Sequence, residues 1–126
     1  MELIIGGAYQ GKELYARSKF PDMHWVNGME ADLEDVLHAE GILHFERFIR
    51  KELEAGRDVS SLGEALIQNA PGVVIVSEEV GYGIVPMDPL DRSYREAVGR
   101  ICTKLALNSS RVTRIVCGIG MVIKGD

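Results

Sequence analysis

The stretch that most constrains this chain is Leu3-Ile4-Ile5-Gly6-Gly7-Ala8-Tyr9-Gln10-Gly11-Lys12-Glu13, an apolar run that breaks into glycines and ends in a lysine. Four apolar or small residues in succession predict a buried strand. Gly6, four residues, then Gly11-Lys12 is the Walker A spacing, in which glycines let backbone N–H groups curl around phosphates and the lysine reaches the terminal ones. Gly6, Gly7, Ala8, Tyr9, Gln10, Gly11, Lys12 and Glu13 are therefore the candidate nucleotide-binding residues. The helix expected over residues 11–18 points its N-terminus at the same anion. Glu13 stands where the motif has a Ser or Thr hydroxyl for magnesium, so the usual metal ligand is replaced by a carboxylate.

The rest of the chain supplies an α/β context. Short apolar runs are expected as strands at residues 23–26 (Met23-His24-Trp25-Val26), 73–77, 115–117 and 121–123. Residues 30–54 are strongly helical in composition with a break at Gly41, which predicts two helices or one kinked helix. Ser60 or Ser61 should cap a short helix through Ile67. Val73-Val74-Ile75-Val76-Ser77 is β-branched and apolar, as a strand covered on both faces should be. Asp88 followed by Pro89 predicts the start of a long helix, with Leu90, Ala97, Val98, Ile101 and Leu105 on its core stripe. The fold class expected is a three-layer P-loop NTPase-like α/β domain with a mostly parallel sheet, occupying residues 1–126 as one domain.

Composition narrows the function classes. Residues 1–90 hold 7 Lys and Arg against 16 Asp and Glu (-9), and residues 91–126 hold 7 against 3 (+4), which gives the net charge of -5. That balance argues against nonspecific nucleic-acid binding, while the basic final third could face an anion. No apolar run is long enough to span a bilayer and no leader precedes the first strand, so a cytoplasmic protein is expected. Cys102 and Cys117 have no metal-ligand spacing and are expected as buried thiols.

Three blocks carry a family resemblance: Gly6-Gly7-Ala8-Tyr9-Gln10-Gly11-Lys12, then Ser77-Glu78-Glu79-Val80-Gly81-Tyr82-Gly83-Ile84-Val85-Pro86, then Arg92-Ser93-Tyr94-Arg95-Glu96-Ala97-Val98-Gly99-Arg100. Together they resemble the adenosylcobinamide kinase / adenosylcobinamide-phosphate guanylyltransferase family of cobalamin biosynthesis. The likeness covers residues 1–20 and 72–125. It implies a purine nucleoside triphosphate (GTP or ATP) with Mg2+, a corrinoid alcohol as phosphoryl acceptor, and assembly into a homo-oligomer. It also implies a histidine that becomes guanylylated in a second reaction. The chain departs from the pattern at Glu13, at Glu78 and Cys102 where the family has asparagine, and in the segment that carries the guanylylated histidine, which is absent.

On this reading Lys12, with Arg92 and Arg95, would meet the transferring phosphoryl group. Of His24, His38 and His44, His44 is the best substitute nucleophile, because Phe45 beside it takes the core position and leaves His44 free to face a pocket. Glu79, matching the family's Glu-Val-Gly, Glu40 and Glu13 are the candidate metal ligands. The expected activity is phosphoryl transfer to a corrinoid alcohol, with guanylyl transfer lost. A non-catalytic nucleotide-binding or regulatory relative is the alternative.

Overall fold

The computed structural model describes residues 1–80 and 88–125. Eleven elements alternate along these residues: β1 (Glu2–Gly6), α1 (Lys12–Lys19), β2 (Trp25–Asn27), α2 (Leu33–Leu37), β3 (Gly41–Leu43), α3 (Phe45–Glu54), α4 (Leu62–Asn69), β4 (Val74–Glu78), α5 (Pro89–Asn108), β5 (Arg111–Val116) and β6 (Ile119–Lys124). The six strands form one sheet in the order β2-β3-β4-β1-β5-β6, parallel except for the β5–β6 hairpin.

That order explains which helices cover which face. From β1 the chain jumps to the far edge at β2, and every later parallel step moves back the other way. With right-handed crossovers, α1 must lie on one face and α2 to α5 on the other. The cores follow this division. Leu3, Ile42, Ile75 and Val112, which share register across the sheet, are buried with Phe45, Phe48, Ile49, Leu66, Ile101 and Leu105. Ile4, Val76 and Ile115 point the opposite way and close on Ala16 of α1, with Tyr15 and Phe20 at the margin. The result is the expected three-layer α/β domain, with β1 in the interior of the sheet and the glycine loop at its carboxyl edge.

Local signals account for most boundaries. Asp88 accepts a hydrogen bond from the Leu90 N–H (2.8 Å) and Pro89 opens α5, as expected. Asp32 and Asp35 form a reciprocal capping box at the start of α2. Ser61 occupies the N-cap position of α4, but its side chain makes no capping hydrogen bond.

The largest correction falls between residues 30 and 54. The break expected within a helical region at Gly41 is a strand. Gly41-Ile42-Leu43 is buried throughout and pairs with both β2 and β4. Glycine is required there by close approach: a Cβ on Gly41 would lie 2.5 Å from the Trp25 ring and 2.6 Å from the Met23 sulfur. Three residues are too short for periodicity to separate strand from helix, and the strand exists because its two neighbours bracket it. β2 also begins later than expected, at Trp25.

The chain's end differs too. β5 starts at Arg111, and Cys117 (φ 51°) with Gly118 (φ 77°) forms a tight left-handed turn into β6. Cys117 is thus exposed rather than buried. Cys102 is half-buried on α5, its Sγ 3.8 Å from Ser77 Oγ, and burial pushes its thiol up to about 11. A thiol with its pKa so raised is almost wholly protonated at pH 8. Disulfide-exchange labelling of the native protein at pH 8 should therefore modify one thiol per chain rapidly, with the second following only on denaturation; Cys117→Ser should remove the rapid phase.

Candidate active site: the glycine-loop cleft

Residues 7–11 leave β1 and turn sharply into α1. Tyr9 (φ 59°) and Gly11 (φ 86°) take left-handed backbone conformations, and Gly11 serves as the N-cap of α1 without a side-chain cap. The free N–H groups of the first turn of α1 therefore face the loop's hollow. Lys12 folds back over that hollow, its Nζ donating to the Gly7 carbonyl at 2.6 Å. Gln10 fastens the loop from behind. Its carbonyl accepts from the Gly118 N–H and its side-chain Oε1 from the Cys117 N–H, both at 2.7 Å.

Opposite the loop stands the end of β3. His44 follows Leu43 in a left-handed conformation (φ 56°) and is the N-cap of α3. This turn sends Phe45 into the core with no exposed surface and leaves the imidazole outside, with Nε2 at 3.1 Å from Glu13 Oε1. Glu13 is also paired with Arg17 at 3.0 Å. The hydrogen bond from Arg17, the largest influence, outweighs the opposing effect of burial and, with the charges of Arg17 and His44, holds the Glu13 carboxyl below the usual carboxylate range. Glu13 thus stays ionised and is turned toward α1 and His44.

A cleft of about 480 Å³ lies between these two walls. Its floor includes Leu43 and Val76, and its rim carries Lys12, His44, Arg47 and Glu78. Buried Glu46 braces the far wall: Oε1 accepts from the Glu78 N–H at 2.9 Å and Oε2 from the Arg47 N–H at 3.0 Å. One carboxylate thereby ties the first turn of α3 to the end of β4.

The structure brings some expected site residues together and separates others. Ala8, Tyr9, Gln10, Gly11, Lys12, Glu13 and His44 all line the cleft. Glu13, Glu40 and Glu79 do not converge. Glu40 sits at the amino edge of the sheet, just before β3, where its Oε1 accepts from the His24 N–H. It is at the wrong end of its strand to reach the loop. Glu79 follows β4 and donates its N–H to the Gly6 carbonyl at 2.7 Å, but its carboxylate pairs with Arg114 at 2.9 Å outside the cleft lining. Among the described residues, no group of three or more His, Cys, Asp or Glu side chains is arranged to hold a metal ion.

Arg92 and Arg95 are likewise outside the cleft lining. Arg50 of α3 pairs with Asp91 and lies over the Tyr94 ring at 5.2 Å, which seats the first turns of α5 against α3 on the face opposite α1. Among the described residues, Arg47 is the arginine that lines the cleft. Arg47 and Glu46 were missed because their placement depends on β3 ending at Leu43, whereas Glu78 closes the expected strand β4 in a block already read as a ligand edge. Of the expected 77–86 block, residues 81–86 lie outside the described residues.

A glycine loop joining an interior parallel strand to a helix, with a lysine folded over it at the carboxyl edge of the sheet, defines an α/β domain of the P-loop class. Comparison with known families narrows this further. Residues 23–123 match the family model of cobinamide kinase / cobinamide phosphate guanyltransferase, and the chain belongs to that family. Among curated relatives, the bifunctional adenosylcobalamin biosynthesis proteins CobU of Salmonella typhimurium and Escherichia coli are each 44% identical over 61 residues, covering 48% of this chain and 34% of theirs. CobP of Pseudomonas aeruginosa, of the same description, is 37% identical over 67 residues, 50% of this chain and 39% of its own. The matched part thus spans little more than a third of these relatives. Among the described residues no helix is long and apolar enough to cross a membrane.

Proposed function

We propose that this chain binds the triphosphate of a purine nucleotide, GTP or ATP, in the glycine-loop cleft and acts in corrinoid metabolism as a cobinamide-kinase-like phosphoryl transferase. The single observation that carries the reading is Lys12 folded over a left-handed glycine loop that opens onto the first turn of α1. Loop and helix N–H groups would receive the phosphate oxygens, and Lys12 would exchange the Gly7 carbonyl for the terminal phosphates. Arg47 would add positive charge across the cleft where charge develops on the transferring group. In-line transfer to an alcohol needs such positioning and no protein nucleophile.

Magnesium would be held from the wall opposite Lys12. Mg2+ takes one or two carboxylates together with phosphate oxygens, and Glu78 at the rim is the carboxylate that fits such a role, while Glu46 uses its oxygens on the Glu78 and Arg47 N–H groups. The metal would supply charge neutralisation for the phosphates. Glu13 is ill suited to share in it, since Arg17 and His44 already occupy its oxygens.

Calorimetric titration with GTP and ATP, with and without magnesium, tests the binding step, and incubation with adenosylcobinamide tests transfer. Saturable binding with slow phosphorylation of the corrinoid is the expected result. Binding without turnover would favour the non-catalytic relative that Glu13 at the hydroxyl position suggests, and absence of binding would overturn both. Labelled GTP and magnesium should leave no acid-labile adduct on the protein, since of the three histidines only His44 lines the cleft and its ring faces Glu13. A guanylylated His44 mapped by mass spectrometry would restore the second activity.

A further inference from the structure

The middle of the glycine loop holds a residue that phosphate binding does not call for. Tyr9 takes a left-handed backbone conformation (φ 59°), in which glycine is at ease and a bulky side chain is strained, although Gly7 and Gly11 stand close by on either side. Its ring is fully exposed, whereas every other aromatic side chain among the described residues is buried or mostly so. Leu14, in the first turn of α1, is 75% exposed and lines the same cleft. An aromatic ring and a leucine thus stand bare on the loop wall of a polar site, with exposed Arg47 on the other wall. The loop's backbone N–H groups would receive phosphate equally well with a small residue at position 9, so the ring serves something else that enters the cleft.

We infer that Tyr9 and Leu14 form the platform on which the phosphoryl acceptor lies, and that they favour an alcohol carried on a broad, flat ring system. The inference rests on the nucleotide-binding role proposed for the loop: with a triphosphate there, Lys12 and Arg47 meet its terminal phosphate. An acceptor hydroxyl has to reach that phosphate through the open mouth of the cleft, past Tyr9 and Leu14. An exposed ring offers a flat face for stacking, and the loop, fastened by Gln10, holds it in place before the acceptor arrives. Binding of the nucleobase, the competing use of the ring, requires polar groups beside it to fix the base by its edges. The polar neighbour Gln10 is committed elsewhere. Its carbonyl and Oε1 accept from the Gly118 and Cys117 N–H groups, and its Nε2 is turned to the Ala8 carbonyl at 3.5 Å. A corrin ring, wide and flat, is an acceptor body of the kind this platform fits.

The test is equilibrium binding of adenosylcobinamide to the full chain saturated with a non-hydrolysable GTP analogue, read by corrinoid absorbance in dialysis, with analogue affinity measured separately by calorimetry. Tyr9→Ala should weaken adenosylcobinamide binding roughly tenfold and Leu14→Ala about threefold, while Tyr9→Phe keeps wild-type affinity and analogue binding stays within about twofold throughout. Tyr9→Gly, whose backbone suits the left-handed turn better, should lose the acceptor as Tyr9→Ala does without a lower melting temperature, which separates the ring from the shape of the loop. In turnover the change should fall on KM for the corrinoid and not on KM for the nucleotide. Wild-type acceptor affinity in Tyr9→Ala, or a wild type that binds the analogue but no adenosylcobinamide, would overturn the inference and leave nucleotide binding standing. Weaker analogue binding in Tyr9→Ala at unchanged acceptor affinity would overturn it in favour of the nucleobase. A wild type that binds neither would overturn both.

Discussion

Lys12→Ala should bind nucleoside triphosphate at least tenfold more weakly than the wild type. The estimate rests on one charge-assisted hydrogen bond to a phosphate, about 1.5 kcal/mol at the low end, which corresponds to slightly more than a decade in Kd. The partner Lys12 now has, the Gly7 carbonyl, is neutral, so exchanging it for a phosphate oxygen is favourable on charge alone. The ammonium is also close to the loop in advance, which lowers the cost of ordering it. Removing the side chain leaves the loop's shape to Gln10 and the hairpin turn, neither of which touches the lysine head. Fold and melting temperature should therefore change little while calorimetric affinity falls. Equal affinity in mutant and wild type would remove the loop from the binding reaction.

Phe45→Ala should be the most destabilising single substitution near the site, by about 3–5 kcal/mol. Its ring is wholly buried among the α2–α5 core, and a domain of this size holds only about 5–15 kcal/mol in all. The loss should appear in urea denaturation as a lower midpoint with an unchanged slope. The effect reaches the site, because Phe45 anchors the turn that holds His44 outward and begins the helix carrying Glu46 and Arg47. Nucleotide affinity should fall with stability in Phe45→Ala and independently of it in Lys12→Ala, which separates the wall of the cleft from its charge.

Much of this architecture was legible because its determinants are local. The β1 run, the glycine spacing and the Asp88-Pro89 cap each sit within a few residues of the feature they specify. The far wall was not legible for the opposite reason. β3 is three residues long, and it is a strand only because β4, some 30 positions later, and β2 pair with its two sides. Read as a helix interior, the same residues make Glu46 and Arg47 ordinary surface charges. Glu40 was matched to the family's acidic metal position by resemblance alone, and the fold puts it at the amino end of β3, away from the loop. His44 lines the cleft beside buried Phe45, and its left-handed backbone and its approach to Glu13 required the fold.

The Gln10 strap has a consequence for the order in which the protein can assemble. Both of its partners, the N–H groups of Cys117 and Gly118, come from residues more than a hundred positions downstream. The turn that carries them is positioned only when β5 has paired with β1 and β6 has folded back on β5. Contacts of such sequence separation close late, because loop-closure entropy is spent before they return anything. The glycine loop thus takes its shape only after the β5–β6 hairpin, more than a hundred positions further along the chain, has folded back on β1.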